Sequence, residues 1–293
     1  MTTIRYGDWA RLWLAELEGR NGRPLPDPAL VSARLERAFA RTEPVHARAD
    51  DGSAAFAGRS EHRHPLTGRP QTVLGHLAAD GPQALRALLG LLPEGGSAAL
   101  ETAGSPGAEV SEVLREASFA PHVLTLRHLT DPDLPAAEGP LDIHPVRPAE
   151  HDFVYDCLVT ALGRGLQDAP AATDLREWAR AKFRLADPAC CLVGTLDGRP
   201  VCHGLGVPRP DRYSDIEVLY VVDVFVIPEE HSRGFSRTVS GELLRVAAGR
   251  GHRVLESDLV VGPHTDRLLD GLRGAGWVAD RLRWQRVAEV GTR

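Results

Sequence analysis

Lysine is all but missing from this chain: Lys182 is the only one among 34 Lys and Arg residues. Basic charge is therefore carried by arginine, which reads as a coding bias more than a functional device. Excess positive charge is also absent, because 40 Asp and Glu leave a formal net charge of -6 and a pI near 6.1. That balance excludes a protein that grips nucleic acid or an anionic membrane through its overall field, while leaving room for a local basic patch. Cysteine is scarce. Cys157, Cys190, Cys191 and Cys202 lack the paired spacing of a zinc site, so they are expected to be reduced thiols that pack as small core residues. Cys191 and Cys202 flank the turn Leu196-Asp197-Gly198-Arg199 and could face each other across a hairpin, with His203 turned to the opposite sheet face from Cys202. His62, His64 and His76 have no carboxylate or cysteine at a fixed helical spacing, and are expected to be solvated loop residues with no metal bound. Long apolar runs are missing too. The longest, Val218 to Ile227, is interrupted by Asp223 and is too short to span a bilayer, and the stretch Met1 to Trp9 has no apolar leader segment. The expected location is the cytoplasm.

What is present is enough for two cores. With 293 residues, 43% hydrophobic and 25% charged, the chain suits two soluble globular domains. Asp8 reads as a helix cap before Trp9, Leu12 and Trp13, and Asp27-Pro28 starts a second helix with Val31, Leu35, Ala38 and Phe39 on one face. Short strands follow, the clearer being Ser53 to Arg59 and Gln71 to Leu77. A helix to about Leu92, a strand Ala98 to Thr102, a helix Ala108 to Ala117 and a strand His122 to Leu129 complete the first half. Residues 131–140, rich in Pro and acid, read as a linker between a domain at 1–130 and one at 141–293. The second half opens with the strand Leu141 to Val146, then helices at about Glu150 to Leu162 and Thr173 to Arg184. Strands Cys190 to Leu196 and Pro200 to Val207 form the hairpin, and a central strand covers Glu217 to Ile227.

That central strand runs directly into the most informative segment. It is β-branched and aromatic and stops at Pro228, and after Ser232 and Gly234 the apolar residues Phe235, Val239, Leu243 and Val246 recur at helical spacing. A strand turning at once into a helix leaves the backbone N–H groups near Ser232 to Arg237 without intrahelical partners. Together with the helix dipole, they favour an anion such as a pyrophosphate. The segment His231-Ser232-Arg233-Gly234-Phe235-Ser236 resembles the acyl-CoA-binding signature Arg/Gln-x-x-Gly-x-Gly/Ala of the GNAT superfamily of N-acyltransferases. Arg233 and Gly234 match, while His231 stands where Gln or Arg is usual and Ser236 where Gly or Ala is usual. The strand Val254 to Val261, the helix Thr265 to Arg273, the pair Gly276-Trp277 and a last strand to Val287 are similar to the closing half of a GNAT domain.

The two halves also repeat each other. Leu100-Glu101-Thr102 parallels Leu255-Glu256-Ser257, and the run from Leu114 to Phe119 parallels that from Leu272 to Trp277. The implied fold class is α/β, two tandem GNAT-like domains, each a mixed twisted sheet flanked by helices, in a layout similar in architecture only to mycothiol synthase. Where the second copy has Pro228 through Ser236, the first has only Ala78-Ala79-Asp80-Gly81-Pro82, so the first is expected to be degenerate and to bind no cofactor.

The resemblance implies an N-acyltransferase that moves an acyl group from acyl-CoA, acetyl-CoA foremost, to the amine of a small or amino-acid-like acceptor. The phosphates would lie on His231, Ser232, Arg233, Gly234, Phe235, Ser236 and Arg237, and the pantetheine arm and thioester carbonyl on backbone groups of Val224, Phe225 and Val226. For a base, Asp223 lies within an otherwise apolar strand, where burial raises a carboxyl towards a useful range. Glu217 shares its parity and would share its face if no bulge intervenes. The alternative for Asp223 is a structural ion pair with an arginine such as Arg253. The family's usual acid, a tyrosine four residues before the Gly of the Gly-aromatic pair, is replaced by Leu272. Protonation of the leaving thiolate then falls to Tyr220, Ser257, His264 or water. Two other readings stay open: an acyl or aminoacyl donor held on a carrier protein or tRNA, and a non-catalytic acyl-CoA binder or sensor. Neither a membrane nor nucleic acid is an expected partner, no metal is expected, and a monomer and a homodimer are both compatible with the sequence.

Overall fold

The computed structural model describes residues 6–18, 28–63, 70–93, 96–103, 106–131, 133–136, 138–165, 172–211, 216–263 and 265–286. The chain divides into two compact units, residues 1–126 with 259–293, and residues 127–258. Helices α1 (Tyr6–Glu18) and α2 (Pro28–Phe39) open the first. Asp8 lies inside the first turn of α1, not ahead of it as a cap. The expected apolar faces do form: Trp9, Trp13, Val31, Leu35 and Phe39 are buried, and Trp9 stacks on Phe39 with ring centroids 4.1 Å apart. Strands β1 (Glu43–Arg48), β2 (Ala54–Arg63) and β3 (Pro70–Ala79) are antiparallel neighbours. Gly58 is required where β2 passes under α2, because a Cβ there would lie 2.3 Å from a Phe39 ring carbon. Helix α3 (Pro82–Leu89), β4 (Ala98–Ala103) parallel to β3, α4 (Ala108–Glu116) and β5 (Ala120–Leu129) follow.

The second unit holds β6 (Asp142–Pro145), α5 (His151–Gly165), α6 (Ala172–Leu185), β7 (Cys191–Leu196), β8 (Arg199–Pro210), β9 (Glu217–Val226), α7 (Phe235–Gly249) and most of β10 (Val254–Val260). Strands β6 to β9 are antiparallel in sequence order, and β10 adds parallel to β9. The β7–β8 hairpin turns at Asp197 and Gly198, with φ of 51° and 78°, the positive pair that matches the twist of the strands. Val154, Leu158 and Ala179 of α5 and α6 bury one sheet face with Cys191, Val193 and Leu205, while Phe235 and Val239 of α7 bury the other with Val201, Cys202 and Val226. Cys191 and Cys202 therefore belong to opposite faces and do not meet. Their register partners are Leu205 and Gly194, and all four cysteines are free and buried.

The chain ends in the first unit, with α8 (Thr265–Gly274) and β11 (Val278–Arg286). There β11 pairs antiparallel with β4, and Trp284, 2% exposed, joins the core of Leu74, Leu85, Leu88, Leu100 and Leu114 while donating its indole N–H to Thr102 Oγ1 at 3.1 Å. The two compact units thus cut across the expected body at 141–293, since β11 pairs with β4. The other boundary also moves. The end of β5 enters the second unit at Arg127, before residues 131–140, where the Arg127 guanidinium bonds Asp211 and Glu256, each at 2.7 Å, and Thr130 bonds the carbonyls of His252 and Arg253.

Candidate active site

The site is built on β9 and the turn after it. Along β8, His203 faces Phe225, Leu205 faces Asp223, and Val207 faces Tyr220. Two steps on β8 thus match three on β9, because the register shifts between Leu205 and Gly206: Val222 is the extra residue of a β-bulge. Side chains of an unbroken strand alternate, so His203, Leu205 and Val207 share a face, and the bulge brings Asp223 to the same face as Tyr220. It also separates the two expected acids. Glu217 pairs with Pro210, on the other face, is 61% exposed, and lies 3.7 Å from His252 Nδ1. Glu217 is removed from the site by that one inserted residue.

Asp223 makes no ion pair with Arg253, which is exposed. Its Oδ2 instead lies 3.1 Å from Nε2 of His203, with side-chain exposures of 17% and 0%. Tyr220 donates its hydroxyl to Asp258 Oδ2 at 3.0 Å and lies under the Arg209 guanidinium, 3.9 Å from the ring centroid. Arg209 in turn bonds the buried Glu256 at 2.6 Å. Ser257 pairs with Val221 and donates to its carbonyl at 3.3 Å, so it alternates away from the face of Tyr220, Glu256 and Asp258 and does not join Asp223. His264 lies outside the described residues.

On its other edge β9 pairs with β10 only from Leu219 to Val221. Among the described residues, Val224, Phe225 and Val226 have no ladder partner on that edge, although β9 runs on to Val226. The chain then continues through a single 3-10 turn at Pro228–Glu230 to Gly234, the left-handed residue ahead of α7, with φ of 80°. Ser232 also has positive φ, 74°. Among the described residues no acceptor meets the amide N–H groups of Ser232, Arg233, Gly234, Phe235 or Ser236; the first satisfied one is Arg237, bonded to the Gly234 carbonyl at 3.0 Å. Successive free amides at a helix start form an anion cradle. His231 lies 3.0 Å through Nε2 from the Val226 carbonyl, tying the turn to the strand end. Arg233 is held by Glu230 at 2.6 Å and lies against the Phe235 ring, whereas the exposed Arg237 has no ion-pair partner among the described residues. These groups fit a pyrophosphate followed by an extended amide-bearing arm.

The thiols can be set aside as nucleophiles. Burial pushes Cys157, Cys190 and Cys191 up to about 12 and Cys202 up to about 11, with the Asp223 carboxylate adding to the effect on Cys157. Asp187, Cys190 and His252 come within 4.8 Å of one another. The Asp187 carboxylate is already committed, accepting from the Ala189 amide at 2.9 Å and facing Arg250 at 3.3 Å, so this cluster caps a turn. Sequence reasoning missed the His203 pairing; the available signal was the alternation that placed His203 opposite Cys202.

No family model matches the sequence, and no curated protein matches it. Solved structures do. A GCN5-related N-acetyltransferase from Sphaerobacter thermophilus is 18% identical, with a TM-score of 0.60 over 96% of this chain and 93% of that one. A GNAT-family acetyltransferase from Colwellia psychrerythraea is 13% identical, with a TM-score of 0.50 over 97% of each. The glucosamine N-acetyltransferase region of a fungal multi-domain β-N-acetylglucosaminidase is 14% identical, with a TM-score of 0.51 over 96% of this chain and 37% of that one. The fold is that of the GCN5-related N-acetyltransferases.

Proposed function

We propose that this chain is an N-acyltransferase that takes an acyl group from acyl-CoA, acetyl-CoA foremost, and delivers it to the amine of a small or amino-acid-like acceptor by direct attack on the thioester. The observation that carries this reading is the run of five free amides from Ser232 to Ser236, placed just beyond a strand edge that has lost its partner. The amides of that turn, with Arg237, take the phosphates, and the open edge at Val224 to Val226 takes the amides of the pantetheine arm and polarises the thioester carbonyl. Acyl-CoA supplies the activated acyl group and a thiolate leaving group. Asp223, on the strand face opposite α7, accepts the proton of the acceptor ammonium. Tyr220, on the same face and donating its hydroxyl to Asp258, is the hydroxyl assigned to return a proton to the departing sulfur. The first unit, whose β3–α3 junction is short, takes no CoA in this reading.

Calorimetric titration with acetyl-CoA and CoA, beside a Gly234→Glu variant, tests it. Binding to the wild type that the variant loses is expected, since a side chain at a φ of 80° strains the turn and a carboxylate there repels phosphate. Absence of binding in the wild type would overturn the acyl-CoA donor and leave a carrier-bound acyl group. Binding without turnover of any amine would make the chain a sensor. Among the described residues no helix is long and apolar enough to cross a membrane.

A further inference from the structure

His203 is a fully enclosed ionisable group beside the proposed site. It is 0% exposed; its Nε2 meets Asp223, and its Nδ1 is buried with no hydrogen-bond partner. The proton facing Asp223 belongs on Nε2: the Nδ1–H tautomer would bury an N–H with nothing to accept it and aim the Nε2 lone pair at a carboxylate. A ring protonated on Nε2 gives that carboxylate its donor. The remaining neighbours do not alter this. Phe225 is apolar, with its ring centroid 6.5 Å away, and on α5 the Cys157 thiol beside Asp223 stays protonated, pushed up to about 12 by burial and by that carboxylate.

We propose that His203 is the positioning residue for Asp223: it donates Nε2–H to Oδ2, fixes the plane of the carboxylate, and leaves Oδ1 to take the proton of the acceptor ammonium. The proposal rests on the acyl-transfer reading. In the step it serves, the ammonium N–H bond breaks towards Oδ1 and the freed amine forms the new C–N bond at the thioester carbonyl. The C–S bond then breaks, with its electron pair leaving on sulfur. A second amine proton ends on that sulfur, and Asp223 returns its own proton to water. His203 carries no proton in either direction, because its far nitrogen has no partner to pass one to. The bulge at Val222 is part of the device, since only the shifted register brings Asp223 opposite Leu205 and within reach of the ring two residues away on β8.

The test has two arms. In protein labelled with 15N-histidine, with His203 assigned from its loss in His203→Gln, the ring is expected to carry a proton on Nε2. The Nδ1–H tautomer, with no proton on Nε2, overturns the proposal. The second arm follows thiol release from acetyl-CoA with putrescine, tyramine and L-lysine as acceptors. His203→Leu is expected to lower kcat about 10- to 100-fold with both KM values changed less than about twofold, because a loosened base misses its attack geometry. His203→Gln, which keeps a donor near the Nε2 position, is expected to recover most of that loss, and His203→Leu added to Asp223→Asn is expected to cost nothing further. Full kcat in a folded His203→Leu, or a folded His203→Gln no better than the leucine variant, overturns the role of His203 while leaving acyl transfer intact. A wild type that binds no acetyl-CoA overturns the acyl-transfer reading itself, and with it the task assigned to the pair.

Discussion

The chain passes from strand to helix twice after a central strand, from β3 into α3 and from β9 into α7, and the two junctions leave very different backbones open. The first is short. Asp80 gives its amide to the Ala54 carbonyl at 2.9 Å, Gly81 turns with φ of 114°, and Pro82 begins the helix with no N–H at all. The second runs from Ile227 to Gly234 and leaves the amides of Ser232 to Ser236 without acceptors among the described residues. An orphan amide in contact with water costs little, but a row of them on a helix axis is able to cradle an anion. The proline removes one such donor where it is not needed. The difference lies in the residues between strand and helix and in the helix that follows, 8 residues in α3 against 15 in α7.

The comparison can be broken at several points. The largest expected effect lies beside the second junction: Asp223→Asn should lower kcat by about 100- to 10,000-fold, with acetyl-CoA affinity kept, in a steady-state assay paired with calorimetry. Equal turnover by the variant would remove Asp223 from the chemistry. Next come the positive-φ glycines at the two junctions, Gly81 and Gly234. Gly81→Ala and Gly234→Ala should each destabilise by about 1–2 kcal/mol, the cost of a Cβ in the left-handed region. Only Gly234→Ala should also weaken acetyl-CoA, by roughly 10-fold through displaced amides. Equal losses of affinity would mean that both junctions bind.

A smaller effect is expected from Arg237→Ala, roughly 3- to 10-fold in acetyl-CoA Kd and fading as salt rises, because an exposed charge acts through a screened field. Arg86→Ala on α3, whose guanidinium already pairs with Glu116 at 3.1 Å, should leave Kd unchanged.

The smallest concerns the cap under α7. Burial pushes the Asp187 carboxyl up, yet the Ala189 amide, Arg250 and His252 together hold it below its ordinary 3.8. A depressed carboxyl contributes stability above the unfolded value and loses it as pH falls through the folded one. Asp187→Asn should therefore lower Tm at neutral pH by a few degrees, with the gap to wild type closing as pH falls below the ordinary carboxylate range.

Much of the site was legible because its signals are local. The β-branched run before Pro228, Gly234 ahead of an apolar helical stripe, and the Asp197-Gly198 turn each report on their own segment. The bulge at Val222 does not. It is a mismatch between two strands, so neither strand alone shows it, and alternation counted along β9 from Glu217 to Asp223 crosses it unawares. The His203 pairing was hidden for the same reason. Residue types gave the candidates, and register decided which of them meet. The place of β11 was hidden differently: its apolar pattern marks a strand but does not say that its neighbours are β4 and β5.

That last pairing has a consequence for how the molecule is made. The edge of β4 that β11 covers, and the core position that Trp284 fills, belong to residues synthesised near the start of the chain but completed only by residues made near its end. The N-terminal unit therefore cannot finish folding first as the ribosome delivers it. Until β11 arrives, β4 presents an unpaired edge next to an incomplete core, the kind of edge that pairs with other chains.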